Sequence, residues 1–497
     1  MTRPQGRRLA RNAGLNLLGQ GLPLLAALPA IPLLVRGAGT ERFGLLTIAW
    51  VLVGYVSLFD FGMGRALTHA VADRVGRRRE AEVGPVVRIA VRATLALSLL
   101  AGAGFWLAAP WAASRLEIEP ALAREVVWAM RAVAAGVPVV VLAAVLRGAL
   151  EGLERFGVVN AIRVPLGVAT FLAPLAVLPW TSHLGALVGA LVAARSLGWA
   201  AYAWAVRRSL QDAAFRQPAR PDARSLSGLL RYGGWATVSN LISPLMVHFD
   251  RLVIGASLSA AAVAFYATPF EVVNRLLMIP GAVVTAFFPA FTEGRAAGRE
   301  GSASLFRGSV QGILLLLLPP AVLLFAFAGE GLTLWVGEAF TREGTAVARW
   351  LLVGTAVNAV AFVPFVLLQG IARPDVTARI HMVEVPFYAA ALLWALPRYG
   401  ITGAAAVWTG RVALDLVLLL VTTARLAPDL RGEAVRAGLL LAPALVLLVL
   451  PLALPHPVAW GVLVLAVALA AAVAGWRWSR APRDAAPAPA GARREAP

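Results

Sequence analysis

The sequence predicts an all-α polytopic membrane protein of about 14 transmembrane helices. It reads as two six-helix lobes related by a parallel repeat, followed by two C-terminal helices. Three observations predict this. The 497 residues are 59% hydrophobic, with a mean hydropathy of +0.76, and the apolar residues come in blocks. A span needs roughly 20 such residues, because a helix rises 1.5 Å per residue across a hydrocarbon core about 30 Å thick. Arginine then alternates between connections, and a stretch beginning at Arg11 recurs from Arg231, 220 residues later.

Breaks at charged or Pro/Gly-rich stretches place the first six spans near 12–35, 43–71, 84–109, 121–147, 157–178 and 183–205. The next six fall near 228–256, 262–291, 304–328, 343–369, 376–396 and 401–423, and the last two near 433–452 and 456–477. Arg3, Arg7, Arg8 and Arg11 precede the first span as they would a signal peptide. That span is longer than a signal core and many follow it, so it reads as a retained helix.

With the N-terminus in the cytoplasm, Arg74, Arg77, Arg78, Arg79, Arg147, Arg155, Arg295, Arg299, Arg425 and Arg431 all fall inside. The connection around Arg207–Arg224 is inside too. The outer turns "PWTSH", "SLSAA" and "LPHP" carry no arginine. The positive-inside rule therefore gives both termini to the cytoplasm. It also accounts for the net charge of +19 without nucleic acid.

The repeat joins "RNAGLNLLGQGLPLLAALPAIPLLVRGAGTERFGLL" to "RYGGWATVSNLISPLMVHFDRLVIGASLSAAAVAFY". Each opens on arginine and glycine, crosses one span and turns through a short Gly/Ser loop; the second spans end at Asp73 and Glu293. The predicted division is a lobe over 1–215, a lobe over 216–425, a hairpin over 426–478 and a disordered cytoplasmic tail over 479–497. Parallel duplication of this kind places a transport site between related halves.

Composition excludes much chemistry. Without cysteine there is no disulfide, thiolate metal site or thiol nucleophile. All 45 basic residues are arginine, so a Walker A lysine and Schiff-base chemistry are excluded too. The histidines (69, 183, 248, 381 and 456) are scattered, with no metal-ligand cluster and no nucleophile–base set. No cofactor and no catalytic residue are expected.

What remains is charge within the spans. Each Arg or Asp at a helix centre costs about 2.5–3.5 kcal/mol on insertion scales, so each needs a reason. Glu271/Arg275 and Arg411/Asp415 are i, i+4 and read as same-face ion pairs. Asp250 and Arg251 lie near an outer end, where they can reach water. Arg92, Arg131, Arg163 and Arg195 have no local acid and suit a cavity for an anion, since the planar guanidinium fork fits phosphate. Arg88 is close enough to the cytoplasm to snorkel. Arg65, His69 and Asp73 form a row towards the cytoplasmic interface. Asp60 and Glu384, the latter three residues from His381, are the candidates for ion coupling or gating, together with Glu271 and Asp415. Prolines in "MIPGAVVTAFFPAF" and "LLLLLPPAV" bend spans and free carbonyls.

The stretch "LVRGAGTERFGLLTIAWVLVGYVSLFDFGMGRALTHAVADR" resembles the first hairpin of the polysaccharide-repeat (O-antigen type) flippases, of the multidrug/oligosaccharidyl-lipid/polysaccharide exporter superfamily. The carrying motifs are Gly39, Phe43 and Gly44, the "DFGMG" of Asp60–Gly64, and "ARPDVTARI". The resemblance implies alternating access and flipping of an undecaprenyl-diphosphate-linked oligosaccharide to the outer leaflet of a bacterial inner membrane. In this reading the span arginines Arg65, Arg92, Arg131, Arg163, Arg195 and Arg275 are the candidate substrate contacts. The expected partners are the polyprenyl-diphosphate-linked glycan, the lipid bilayer and polysaccharide polymerase machinery, with no nucleic acid.

Three other readings stand beside it. The extra C-terminal pair is similar to the lipid II flippase branch, but that branch's first-helix arginines are missing, because Gly14 to Val35 carries no charge. A cation-coupled drug exporter of the same superfamily would place acids, not arginines, in excess. A membrane glycosyltransferase or ligase would carry catalytic carboxylates on large loops, whereas the longest outer loop here is "AGEGLTLWVGEAFTREG".

Overall fold

The computed structural model describes residues 22–56, 63–211, 249–284, 299–371, 373–454 and 457–480. Asp60, Glu293, most of the expected 228–256 span, the connection beyond residue 211 and the tail lie outside them. Among the described residues every regular element is helical, and nine helices are long and apolar enough to cross a membrane. Contacts divide the chain into two units, Met1–Ala267 and Thr268–Pro497.

The first unit holds α1 (Leu22–Ala38), α2 (Thr40–Val56), α3 (Met63–Gly76), α4 (Val83–Ala113), α5 (Ala123–Gly152), α6 (Phe156–Val177) and α7 (Leu184–Ser209). A helix over 249–257 (α8) and the start of α9 (Ala260–Asn274) complete it. At the centre is α5, packed on α2, α3, α4 and α7. Small residues make this possible. A Cβ on Gly148 would stand 2.3 Å from the Gly64 carbonyl oxygen, and the Thr68 hydroxyl donates to that carbonyl (3.0 Å) and to that of Gly148 (2.9 Å). The last glycine of the "DFGMG" motif is thus a backbone crossing point between α3 and α5.

The other motif has an equally local cause. Gly39, at φ +86°, turns the chain from α1 into α2; its N–H donates to Val35 and its carbonyl accepts from Phe43. Phe43 is buried edge-on to Trp50. A Cβ on Gly44 would lie on the Ala260 carbonyl, so α2 and α9 cross there backbone to backbone. The repeat is visible at the same place. Thr40 opens α2 and Ala260 opens α9, 220 residues apart, and Ser259 plays the part of Gly39: its carbonyl accepts from Val263, its hydroxyl from Ala262.

On the opposite side of this turn, Arg42 grips Glu125 with two hydrogen bonds of 2.9 and 2.7 Å. Glu125 also accepts from the Leu184 N–H, tying the starts of α2, α5 and α7 together. Asp250 and Arg251 do not reach water as expected from their position. Both are buried, because the Tyr266 hydroxyl of α9 donates to Asp250 at 2.5 Å and satisfies the carboxylate locally.

The second unit begins within α9, which continues through a 3-10 turn at Arg275–Leu277 into a helix over 278–284 (α10). It then holds α11 (Arg299–Ala326), α12 (Ala328–Val336), α13 (Glu338–Gly370), α14 (Pro374–Leu426), α15 (Arg431–Val449) and α16 (Pro457–Arg480). The expected outer loop at "AGEGLTLWVG" is instead the short helix α12, ended by Gly337 at φ +102°. In α14 the chain folds back at Gly400 (φ 58°, ψ −149°), just after Pro397. Its arms, 374–399 and 401–426, are the two spans expected over 376–396 and 401–423. α13 packs along α14, with Gly354 against the Trp408 ring and the Thr409 hydroxyl donating to the Trp350 carbonyl. α15 and α16 both pack on α11.

Candidate functional site

The densest buried charge lies between the arms of α14. Folding back at Gly400 brings His381, Glu384 and Tyr388 of one arm against Arg411 and Asp415 of the other. The i, i+4 pair expected between Arg411 and Asp415 does not form; the partners are exchanged across the hairpin. An Arg411 Nη1 lies 3.5 Å from Glu384 Oε2, and His381 Nε2 lies 3.5 Å from Asp415 Oδ1. The reason is geometric: the facing arm offers each group a closer opposite partner than its own helix does.

The walls of this cluster are aromatic. Arg411 sits over the Tyr388 ring at 5.7 Å, His381 stacks on Phe365 of α13, and Trp408 meets Phe270 of α9 edge-on. Glu384 is 2% exposed and Asp415 7%. Both Glu384 oxygens and Asp415 Oδ1 are buried without a hydrogen bond among the described residues. The cluster gathers two carboxylates, one guanidinium and one imidazole. Buried ions cost several kcal/mol each unless paired and hydrogen-bonded.

The remaining predicted residues fall in separate places. Glu271 and Arg275 form the expected same-helix pair, at 3.5 Å and partly exposed. In the first unit Arg131 lies over two tryptophan rings, Trp106 at 5.4 Å and Trp128 at 5.7 Å, beside a cleft of about 420 Å³ that His183 also lines. Arg195 donates to the Thr170 hydroxyl at 3.0 Å, while its Nε is buried without a partner among the described residues. Arg163 is exposed on α6. Arg65 and Arg92 are exposed on α3 and α4. Asp73 pairs with Arg77 at 2.8 Å near the end of α3, and Asp60 is outside the described residues. Sequence reasoning missed Arg42 and Glu125, which are 83 positions apart and each unremarkable alone.

This bundle of apolar helices has the fold of the MOP superfamily. The TM-score is 0.65 to an inward-facing MATE family multidrug transporter, at 17% identity, covering 83% of this chain and 98% of that one. It is also 0.65 to the lipid II flippase MurJ in an inward closed conformation, at 10% identity, covering 94% and 98%. Residues 9–295 match the family described as "Polysaccharide biosynthesis protein", and the chain belongs to it. A Shigella flexneri protein named "Putative O-antigen transporter" is 31% identical over 415 residues, 83% of this chain and 96% of the relative.

Proposed function

We propose that this protein flips an undecaprenyl-diphosphate-linked oligosaccharide from the cytoplasmic to the outer leaflet of a bacterial inner membrane, by alternating access coupled to proton movement. The observation that carries the reading is the near full-length similarity to the Shigella flexneri relative and what its name says it transports. In this reading the lobes are 1–215 and 216–425, the hairpin 426–478 is an addition, and both termini are cytoplasmic. The chain carries its cargo unchanged and is no enzyme. Polysaccharide polymerase machinery consumes the product on the far side.

The arginines supply the anion-binding half of the mechanism. Arg131 and Arg195 stand in spans with aromatic or hydroxyl partners and no ion pair to an acid among the described residues. Their positive charge is therefore open to a diphosphate, which accepts paired N–H donors. Arg65, Arg92, Arg163 and Arg275 are further contacts along the path. Glu384 and Asp415 supply the coupling half: protonation brings the α14 cluster to neutrality, and the proton leaves when the site opens to the opposite side. Arg411 and His381 hold the acids between these states.

The test is a mass-spectrometric inventory of polyprenyl-linked saccharides in cells with and without this protein. Build-up of one diphosphate-linked oligosaccharide on its loss is the expected result and identifies the glycan. An unchanged pool would remove the flippase reading and favour efflux of a drug or small solute.

A further inference from the structure

A second charged site lies outside the machinery above, between α11 and α15. Glu433, near the start of α15, is 6% exposed. Its carboxylate accepts from Arg307 Nε at 3.0 Å, from Arg307 Nη2, and from Arg436 Nη1 at 2.7 Å. One buried acid therefore holds two guanidiniums. Each guanidinium has five N–H donors, and Glu433 takes three of the ten. The trio carries a net charge of +1, and the side chains of Arg307 and Arg436 stay 46% and 59% exposed. They border a groove of about 380 Å³ whose other walls are Gln311 and the apolar Phe306, Val310, Leu439 and Leu440.

The surroundings identify what such a groove meets. Val435 and Leu439, on the same helix, are 58% and 67% exposed, so this face of a spanning helix looks outward into lipid. Arg307 lies in the third turn of α11, which starts at Arg299, and Arg436 in the second turn of α15, which starts at Arg431. Those are the helix ends that the arginine distribution assigns to the cytoplasm. A basic pocket between spanning helices at that depth faces the anionic leaflet. The apolar walls below it continue in the direction of acyl chains.

We infer that the Arg307–Glu433–Arg436 groove binds the headgroup phosphate of an anionic phospholipid of the cytoplasmic leaflet. Glu433 is the positioning residue: it presets both guanidiniums and limits their charge, so that the site selects a lipid anion without gripping it as a bare arginine pair would. The site lies on the lipid-facing surface and rests on the membrane orientation, not on the identity of the cargo.

Native mass spectrometry of the full-length protein tests this, with phosphatidylglycerol and phosphatidylethanolamine of identical acyl chains as probes. The wild type should retain phosphatidylglycerol preferentially. At about 1 kcal/mol per basic residue near an anionic surface, R307Q/R436Q should lower that preference on the order of thirtyfold. The single variant R436Q, on the more exposed side chain, should lower it about fivefold and guards against misfolding of the double variant. R208Q, at the far end of α7, should leave it unchanged. Equal preference in R307Q/R436Q and wild type, or an equal loss in R208Q, would overturn the site. Displacement of the lipid by excess inorganic phosphate would overturn the lipid assignment in favour of a free-anion site. Transport is not read in this experiment, so its failure and that of the flippase reading are separate results.

Discussion

Arg131 and Arg195 in the first unit and Arg411 and Arg275 in the second are held in opposite ways. In the first, Arg131 is held by two tryptophan faces and Arg195 by one threonine hydroxyl. In the second, Arg411 is set against Glu384, Arg275 against Glu271 and Asp415 against His381. These arginines of the first unit keep their positive charge open, whereas those of the second are set against acids. In the proposed reading the first set meets the anionic cargo and the second meets the proton that drives it.

The comparison breaks most visibly at Arg411. Removing one member of a buried pair leaves an uncompensated charge, at a cost of about 3–5 kcal/mol. R411A should therefore lower the unfolding temperature sharply in detergent, and adding E384Q should recover most of the loss. An R411A protein as stable as wild type would mean that the α14 cluster is hydrated.

The next effect belongs to the shared turn. G44A would drive a Cβ onto the Ala260 carbonyl, and overpacking of this kind costs about 1–3 kcal/mol. G54A, where a Cβ meets open space, should change the midpoint little. Equal behaviour of the two would show that α2 and α9 do not meet at Gly44.

Arg195 sharpens the contrast from the other side. Its charge has no acid to lose, so R195Q should keep or slightly raise thermal stability while reducing transport at least tenfold, an effect of about 1.4 kcal/mol or more on cargo recognition. A variant that loses stability in step with transport would make Arg195 a packing residue. The smallest effect is expected at Arg275, whose pair is i, i+4 and partly exposed: R275Q should cost about 0.3–0.5 kcal/mol, read from the same melting curves.

Much of this was legible in the sequence because it is local. Apolar runs mark the spans, Gly39 marks a turn that requires positive φ, and Pro397 with Gly400 separates the arms of α14. The cluster was half legible. Glu384 and Asp415 stand out as acids inside apolar runs, but their partners depend on how the hairpin closes, so the i, i+4 rule chose Asp415 for Arg411 when the opposite arm supplied Glu384. Arg42–Glu125 and Arg307–Glu433 are 83 and 126 positions apart, and no periodicity links them. The helix α12 was read as loop because nine residues are too few for a span, two of them are Gly329 and Gly331, and Gly337 follows.

The most direct test is flipping by the purified protein in proteoliposomes, with a diphosphate-linked oligosaccharide probe and an imposed pH gradient. The wild type should move the probe between leaflets and respond to the gradient; E384Q should move it without responding; R195Q should fail to move it. A wild-type protein that leaves the probe in place under either gradient, or an E384Q protein that responds as the wild type does, would contradict the division of labour between the two units.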